Sequence, residues 1–189
     1  MRYDRLVVAY HGCERKVAEA VLAGTVSLKP SVNEYDWLGS GIYFWEYGPE
    51  RALHFAAEQM KRNGAKGTAA VVGALIQLGE CFDLLDTRFT DDLAAAWPRL
   101  RRMMTSNGLA LPRNAGAFPD QPLRRRDCAA LNLYLEWSGK TYDTVRCAFR
   151  EGPTVFPGSA IYSKTHIQIA ARNPNCVVGY FRPIVEEPP

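Results

Sequence analysis

The chain offers chemistry at a few short stretches. His11 and Gly12 follow an apolar run, Leu6 to Tyr10. A histidine at the mouth of a strand presents a ring nitrogen to a ligand, and a glycine beside it lets that ligand approach the main chain. Taken alone, such a pair is more often a hydrogen-bonded histidine at a turn. The second stretch is Gly39-Ser40-Gly41-Ile42-Tyr43-Phe44, with Trp37 and Trp45 close by. Glycines ahead of an aromatic strand allow close contact with a flat ligand, and Tyr43 supplies a stacking face. An aromatic core strand after an ordinary loop has the same composition. Two carboxyl or amide groups lie further on: Glu151, in a loop shaped by Gly152, Pro153, Pro157 and Gly158, and Gln168, two residues after His166. Glu151 can equally be a surface acid in a turn. Arg51 and Arg146 carry guanidinium groups suited to phosphate.

These residues need elements to position them. The run Leu6–Tyr10 reads as a buried strand, and 13–23 as a helix stopped by Gly24. Gly41–Trp45 has strand composition, and Pro49 opens a helix to about Arg62. Thr68–Leu78 and Cys81–Leu85 read as strands separated by Gly79-Glu80, which predicts a hairpin or a bulged pair. Asp91–Met104 and Arg126–Trp137 read as helices. Strands are predicted again at Asp143–Phe149, Thr165–Ala171 and Cys176–Phe181. The outline is a single α+β domain over 1–189 with a helical insertion at about 86–140.

Composition limits the choices. The 189 residues are 47% hydrophobic and 23% charged, which excludes a disordered chain. A core of this size needs neither disulfide nor metal. The five cysteines are scattered, without ligand spacing, and predict free thiols in a reducing compartment and no metal site. The apolar runs are too short for a bilayer, so a cytoplasmic protein with no membrane partner is expected. The net charge of +3 hides an asymmetry: from Trp97 to Arg126 there are seven arginines and one acid, Asp120. That segment is +6, so the rest of the chain is −3. Arg99, Arg101, Arg102, Arg124, Arg125 and Arg126 make a footprint for a polyanion, for an acidic protein, or a plain solvated face. Aromatic residues that could read bases are sparse in the segment.

No Gly-x-Gly-x-x-Gly opens a helix after a strand and no Walker A sequence is present, which excludes a Rossmann enzyme and a P-loop NTPase. Tyr-His-Gly at a strand end, a helix, Gly-Ser-Gly-Ile-Tyr-Phe and a Pro-started helix together resemble the NAD-binding half of ADP-ribosyltransferases of the diphtheria toxin and poly(ADP-ribose) polymerase branch. The resemblance covers Leu6 to about Ala57 well and the C-terminal strands more loosely. It implies split antiparallel sheets with flanking helices. It also implies NAD held by His11, Gly12 and Gly41, nicotinamide stacked on Tyr43, and a second ring from His54 or Phe55. Arg51 would meet the pyrophosphate. The family's late-strand Glu falls on Gln168 here, a departure that leaves Glu151 or Gln168, the latter with His166, for the catalytic role. Small free-standing relatives resemble toxins of toxin–antitoxin and phage-defence systems. The implied partners are therefore NAD, an RNA, DNA or protein acceptor (RNA favoured), and an antitoxin. NAD hydrolysis, RNA 2′-phosphotransfer and a non-catalytic binding module stay open beside transfer.

Overall fold

The computed structural model describes residues 3–108, 110–117 and 120–184. Its strands are β1 (Tyr3–Glu14), β2 (Ile42–Glu46), β3 (Ala69–Gly79), β4 (Cys81–Asp83), β5 (Thr144–Phe149), β6 (His166–Ala171) and β7 (Val177–Phe181). Its helices are α1 (Arg15–Leu22), α2 (Pro49–Arg62), α3 (Thr87–Ser106) and α4 (Arg125–Trp137). The fold is α+β, as expected. Pro49 starts α2 where a missing N–H costs nothing. Gly24, at φ 69°, lies just past the end of α1 and accepts the left-handed turn there.

The strands form one sheet in the order β4-β5-β6-β2-β1-β3-β7, antiparallel except for the parallel β4–β5 pair. This corrects two expectations. The sheet is mixed and continuous rather than two separate antiparallel sheets. And β4 does not make a hairpin with β3; it pairs with β5 across the molecule. Gly79, at φ 60°, turns the chain, and Asp143 accepts the Glu80 N–H, which ties the turn to the start of β5. Thr144 Oγ1 donates to the Leu78 carbonyl beside it.

Only Glu80 separates β3 from β4, yet four strands lie between them in the sheet order. The sheet therefore rolls back on itself. Its two halves, β4-β5-β6-β2 and β1-β3-β7, are joined at β1–β2 by just two residue pairs, Ala9↔Glu46 and Tyr10↔Trp45. By contrast β1 pairs with β3 along almost its whole length. Val7, Ala9, Phe44, Val72, Ile76 and Ile169 share the inner core with Ala18 and Val21 of α1. Strand alternation sends Tyr10, Tyr43, Trp45, Phe149, His166, Gln168 and Ala170 to the other face. There α2 covers Trp45 and Val71, while Phe89 of α3 and Leu131 and Leu135 of α4 pack with Phe82, Val145 and Phe149. The inserted helices are thus part of the core, not an appendage. Cys13, Cys81, Cys128, Cys147 and Cys176 are free thiols.

Candidate functional site

Past Tyr10 the two central strands part. His11 lies in the opening, where its Nδ1 is 2.8 Å from the Tyr43 carbonyl oxygen. A carbonyl only accepts, so Nδ1 carries the proton and Nε2 is left as an acceptor in the neutral ring. Burial lowers the His11 pKa below 6.5, against the opposing effect of this hydrogen bond. The motif residues His11 and Tyr43 are therefore brought together, 32 positions apart in sequence.

Their neighbours are used differently from the expectation. A Cβ built on Gly12 would run into the Ala52 carbonyl oxygen of α2. The glycine is needed for helix-to-strand contact, so α2 takes the close approach predicted for a ligand. Gly41 exchanges backbone hydrogen bonds with Ser31 and packs tightly on Ala170 and Ala171. The Tyr43 hydroxyl donates to the Gly39 carbonyl (2.6 Å) and accepts from the Leu38 N–H (2.8 Å). Burial raises its pKa far above the usual phenol value. Tyr43 thus braces the Leu38–Gly41 turn. His54 is exposed on α2, whereas Phe55 packs on Trp45 with ring centroids 4.8 Å apart.

A second group gathers on the outer face. Trp45 and Gln168 are cross-strand partners on β2 and β6, and His166 precedes Gln168 by one strand repeat. Phe149 sits opposite His166 on β5. Glu151 reaches in from the loop after β5, with both carboxylate oxygens on Arg51 Nη2 (2.9 and 2.7 Å) and Oε2 3.6 Å from His166 Nδ1. The Arg51 guanidinium lies 5.8 Å from the Trp45 ring. Arg124, at the N-cap of α4, stacks on Trp37 (4.0 Å) and Phe149 (4.9 Å). Asp120 accepts the Gly152 N–H and so ties the insertion to the loop that carries Glu151.

This cluster is short of partners. Trp45 Nε1, Arg51 Nε and Nη1, Arg124 Nε, His166 Nε2 and Gln168 Oε1 are buried without a hydrogen bond. Among the described residues, no other buried side-chain nitrogen or oxygen lacks a partner. Each such atom costs about 1–3 kcal/mol, so their convergence marks a place where polar ligand atoms would be stabilising. Burial lowers the pKa of His166 and of Arg124.

The predicted residues divide accordingly. Glu151, Arg51, Gln168 and His166 come together. His11 and Tyr43 come together at the strand opening, but the register puts the His11 side chain on the inner face, against Phe44, and Gln168 on the outer one. Arg146 does not face this site. It is locked on the inner side between Glu46 (2.5 and 3.0 Å) and Asp83 (3.3 and 3.0 Å), which removes it as a phosphate ligand. The arginine segment also separates. Arg99 lies over the Trp137 ring, Arg125 pairs with Glu34, and Arg126 Nε donates to the Pro112 carbonyl. Arg124 is half-buried in the cluster. Arg101 and Arg102 are exposed on α3, with no ion pair among the described residues. Trp45, noted in the sequence only as a neighbour of the glycine motif, lies two residues after Tyr43 and so on the same strand face. Among the described residues no group of three His, Cys, Asp or Glu side chains could hold a metal ion, and no helix is long and apolar enough to cross a membrane.

NAD can be tested against these groups. His11 Nε2 suits a ribose hydroxyl, and the two unpartnered Arg51 nitrogens suit a phosphate oxygen; the space over Gly12 is already taken. No family model, no curated protein and no solved structure matches this chain, so its residues alone carry the case for its chemistry.

Proposed function

We propose that this protein is an NAD-dependent mono-ADP-ribosyltransferase. It would act as a toxin or defence effector on a nucleic acid, RNA favoured, or on a protein, with release of nicotinamide. The observation that carries the reading is the parting of β1 and β2, with His11 bonded across the opening to the Tyr43 carbonyl. It brings two short motifs from separate strands to one gap, and Glu151 and Arg51 gather on the far side of β2. In this reading His11 accepts from a ribose hydroxyl and Arg51 meets a phosphate. Loss of nicotinamide leaves positive charge on the ribose, like the transition state of glycoside hydrolysis. Glu151 or Gln168 steadies that charge, the first as a carboxylate and the second with a hydrogen bond but no charge.

The second reading is a nucleotide-binding module without catalysis, favoured by the close packing of α2 on Gly12 and by an amide where the family has an acid. The two are separated by incubating the protein with labelled NAD and bulk RNA, DNA and protein. Label on a macromolecule together with free nicotinamide is the expected result. Nicotinamide without label means hydrolysis, and neither product means a binder.

A further inference from the structure

We infer that His166 is the catalytic base that takes the proton from the acceptor, with Glu151 as its positioning residue; this rests on the transfer reading above. The geometry is specific. His166 Nδ1 lies 2.6 Å from the Lys164 carbonyl oxygen, so this nitrogen holds the proton and donates it. The Glu151 carboxylate stands 3.6 Å from the same nitrogen. The tautomer is therefore fixed, and the lone pair is on Nε2, which is buried and has no partner. Trp37, Phe149 and Trp45 surround the ring, at centroid distances of 6.1, 5.9 and 6.4 Å. The His166 side chain is 4% exposed, while those of Arg51 and Glu151, at 13% and 17%, form the rim toward solvent. A base oriented through one ring nitrogen and free on the other is the arrangement that proton abstraction requires.

Gln168 has no basic group, and Glu151 is committed to Arg51 through both oxygens. That leaves His166 Nε2 as the uncommitted base of the cluster. The charged groups facing it are Glu151 from the loop after β5, Arg51 from α2 and Arg124 from α4. Burial and the two arginines favour the neutral ring, and Glu151 and the Lys164 carbonyl oppose them; the net shift is below 6.5, so the ring is free base at neutral pH. In the step itself, an acceptor O–H or N–H gives its proton to Nε2 and its electron pair forms the bond to the ribose anomeric carbon. The bond from that carbon to nicotinamide breaks, and its electron pair leaves with the neutral nicotinamide. The imidazolium, paired with Glu151, then returns its proton to water. The site thus selects acceptors with a removable proton.

The test uses the full chain and two readouts. In ¹⁵N NMR of the three histidines, assigned with His166→Asn, we expect His166 to show a bare Nε2, a protonated Nδ1 and a titration midpoint below 6.5. Asn keeps an N–H for the Lys164 carbonyl but has no base. In the NAD assay, wild-type transfer should rise with pH to a plateau, and His166→Asn should fall at least a hundredfold and lose that acid limb. A protonated Nε2 overturns the inference, as does a folded His166→Asn that transfers label within threefold of wild type. Wild-type protein that neither labels an acceptor nor releases nicotinamide overturns the transfer reading itself, and the base role with it.

Discussion

Arg146 is buried and Arg51 half-buried, each beside a glutamate, yet their surroundings differ. Arg146 uses Nε and Nη2 on Glu46 and Nη1 on Asp83, so all three nitrogens have partners. Burial works against its charge, but the two carboxylates more than offset this and hold its pKa above the ordinary value. Arg51 spends one nitrogen on Glu151 and leaves two with no partner. A closed network satisfies its donors within the scaffold, whereas an open one leaves donors that a polar ligand atom would stabilise. The comparison breaks most visibly in stability. Arg146→Met leaves Glu46 and Asp83 buried without a counter-charge and should cost about 3–5 kcal/mol. Arg51→Met leaves Glu151, which is partly exposed and can rehydrate, and should change stability by less than about 1 kcal/mol. Urea denaturation midpoints measure both, and equal losses would erase the distinction.

The roof over the open cluster gives the next largest effect. Gly12→Ala pushes a methyl group into the Ala52 carbonyl of α2 and should cost about 1–3 kcal/mol, unless the helix shifts as a body. Losing stability while NAD still binds would make Gly12 a packing residue; losing NAD binding in a protein of wild-type stability would return it to the ligand.

Proton binding sharpens the comparison further. His11 and His166 both have pKa values lowered below 6.5 by burial, so the unfolded chain binds protons in a range where the folded chain does not. Stability is then full above pH 6.5 and falls as pH drops through 6.5 toward the folded pKa values, below which these two groups add no further slope. His166→Asn should reduce that slope and leave the part due to His11. Denaturation midpoints at pH 7.5, 6.5 and 5.5 decide it, and a flat profile would mean that neither ring is held neutral.

Local patterns reveal most of the elements but not their arrangement. Pro49 and the apolar face that follows mark α2, and the β-rich run Thr68–Leu78 marks β3. The crossing from β3 to β4 was not legible. Gly79-Glu80 looks like a hairpin turn, and bonds from Asp143 and Thr144, more than 60 residues away, turn the chain toward β5 instead. At the site, His11 and Tyr43 were legible as motifs. The union of Arg51, Glu151, His166 and Trp45 was not, since it depends on how β2 and β6 pair and on where the loop after β5 lands. The insertion's arginines were legible as charge, but not their separate contacts: Arg99 on Trp137, Arg125 on Glu34 and Arg124 on Trp37 depend on how α3 and α4 pack.

The smallest predicted effect concerns two exposed arginines of α3. Arg101 and Arg102 project from α3 without an ion pair among the described residues, while Arg99 rests on Trp137 and Arg124 stacks on Trp37. Replacing both by alanine should leave stability within about 0.5 kcal/mol, because alanine suits a helix surface and no partner is lost. If α3 meets a nucleic acid acceptor, each arginine neutralises about one phosphate. The slope of log affinity against log salt for single-stranded RNA should then fall by about 1.4 for the pair, at roughly 0.7 per phosphate. Arg99→Ala should weaken RNA retention little but loosen the α3–α4 contact, the reverse pattern. A double variant with an unchanged salt slope would remove α3 from the acceptor surface and leave the buried cluster to choose its substrate unaided.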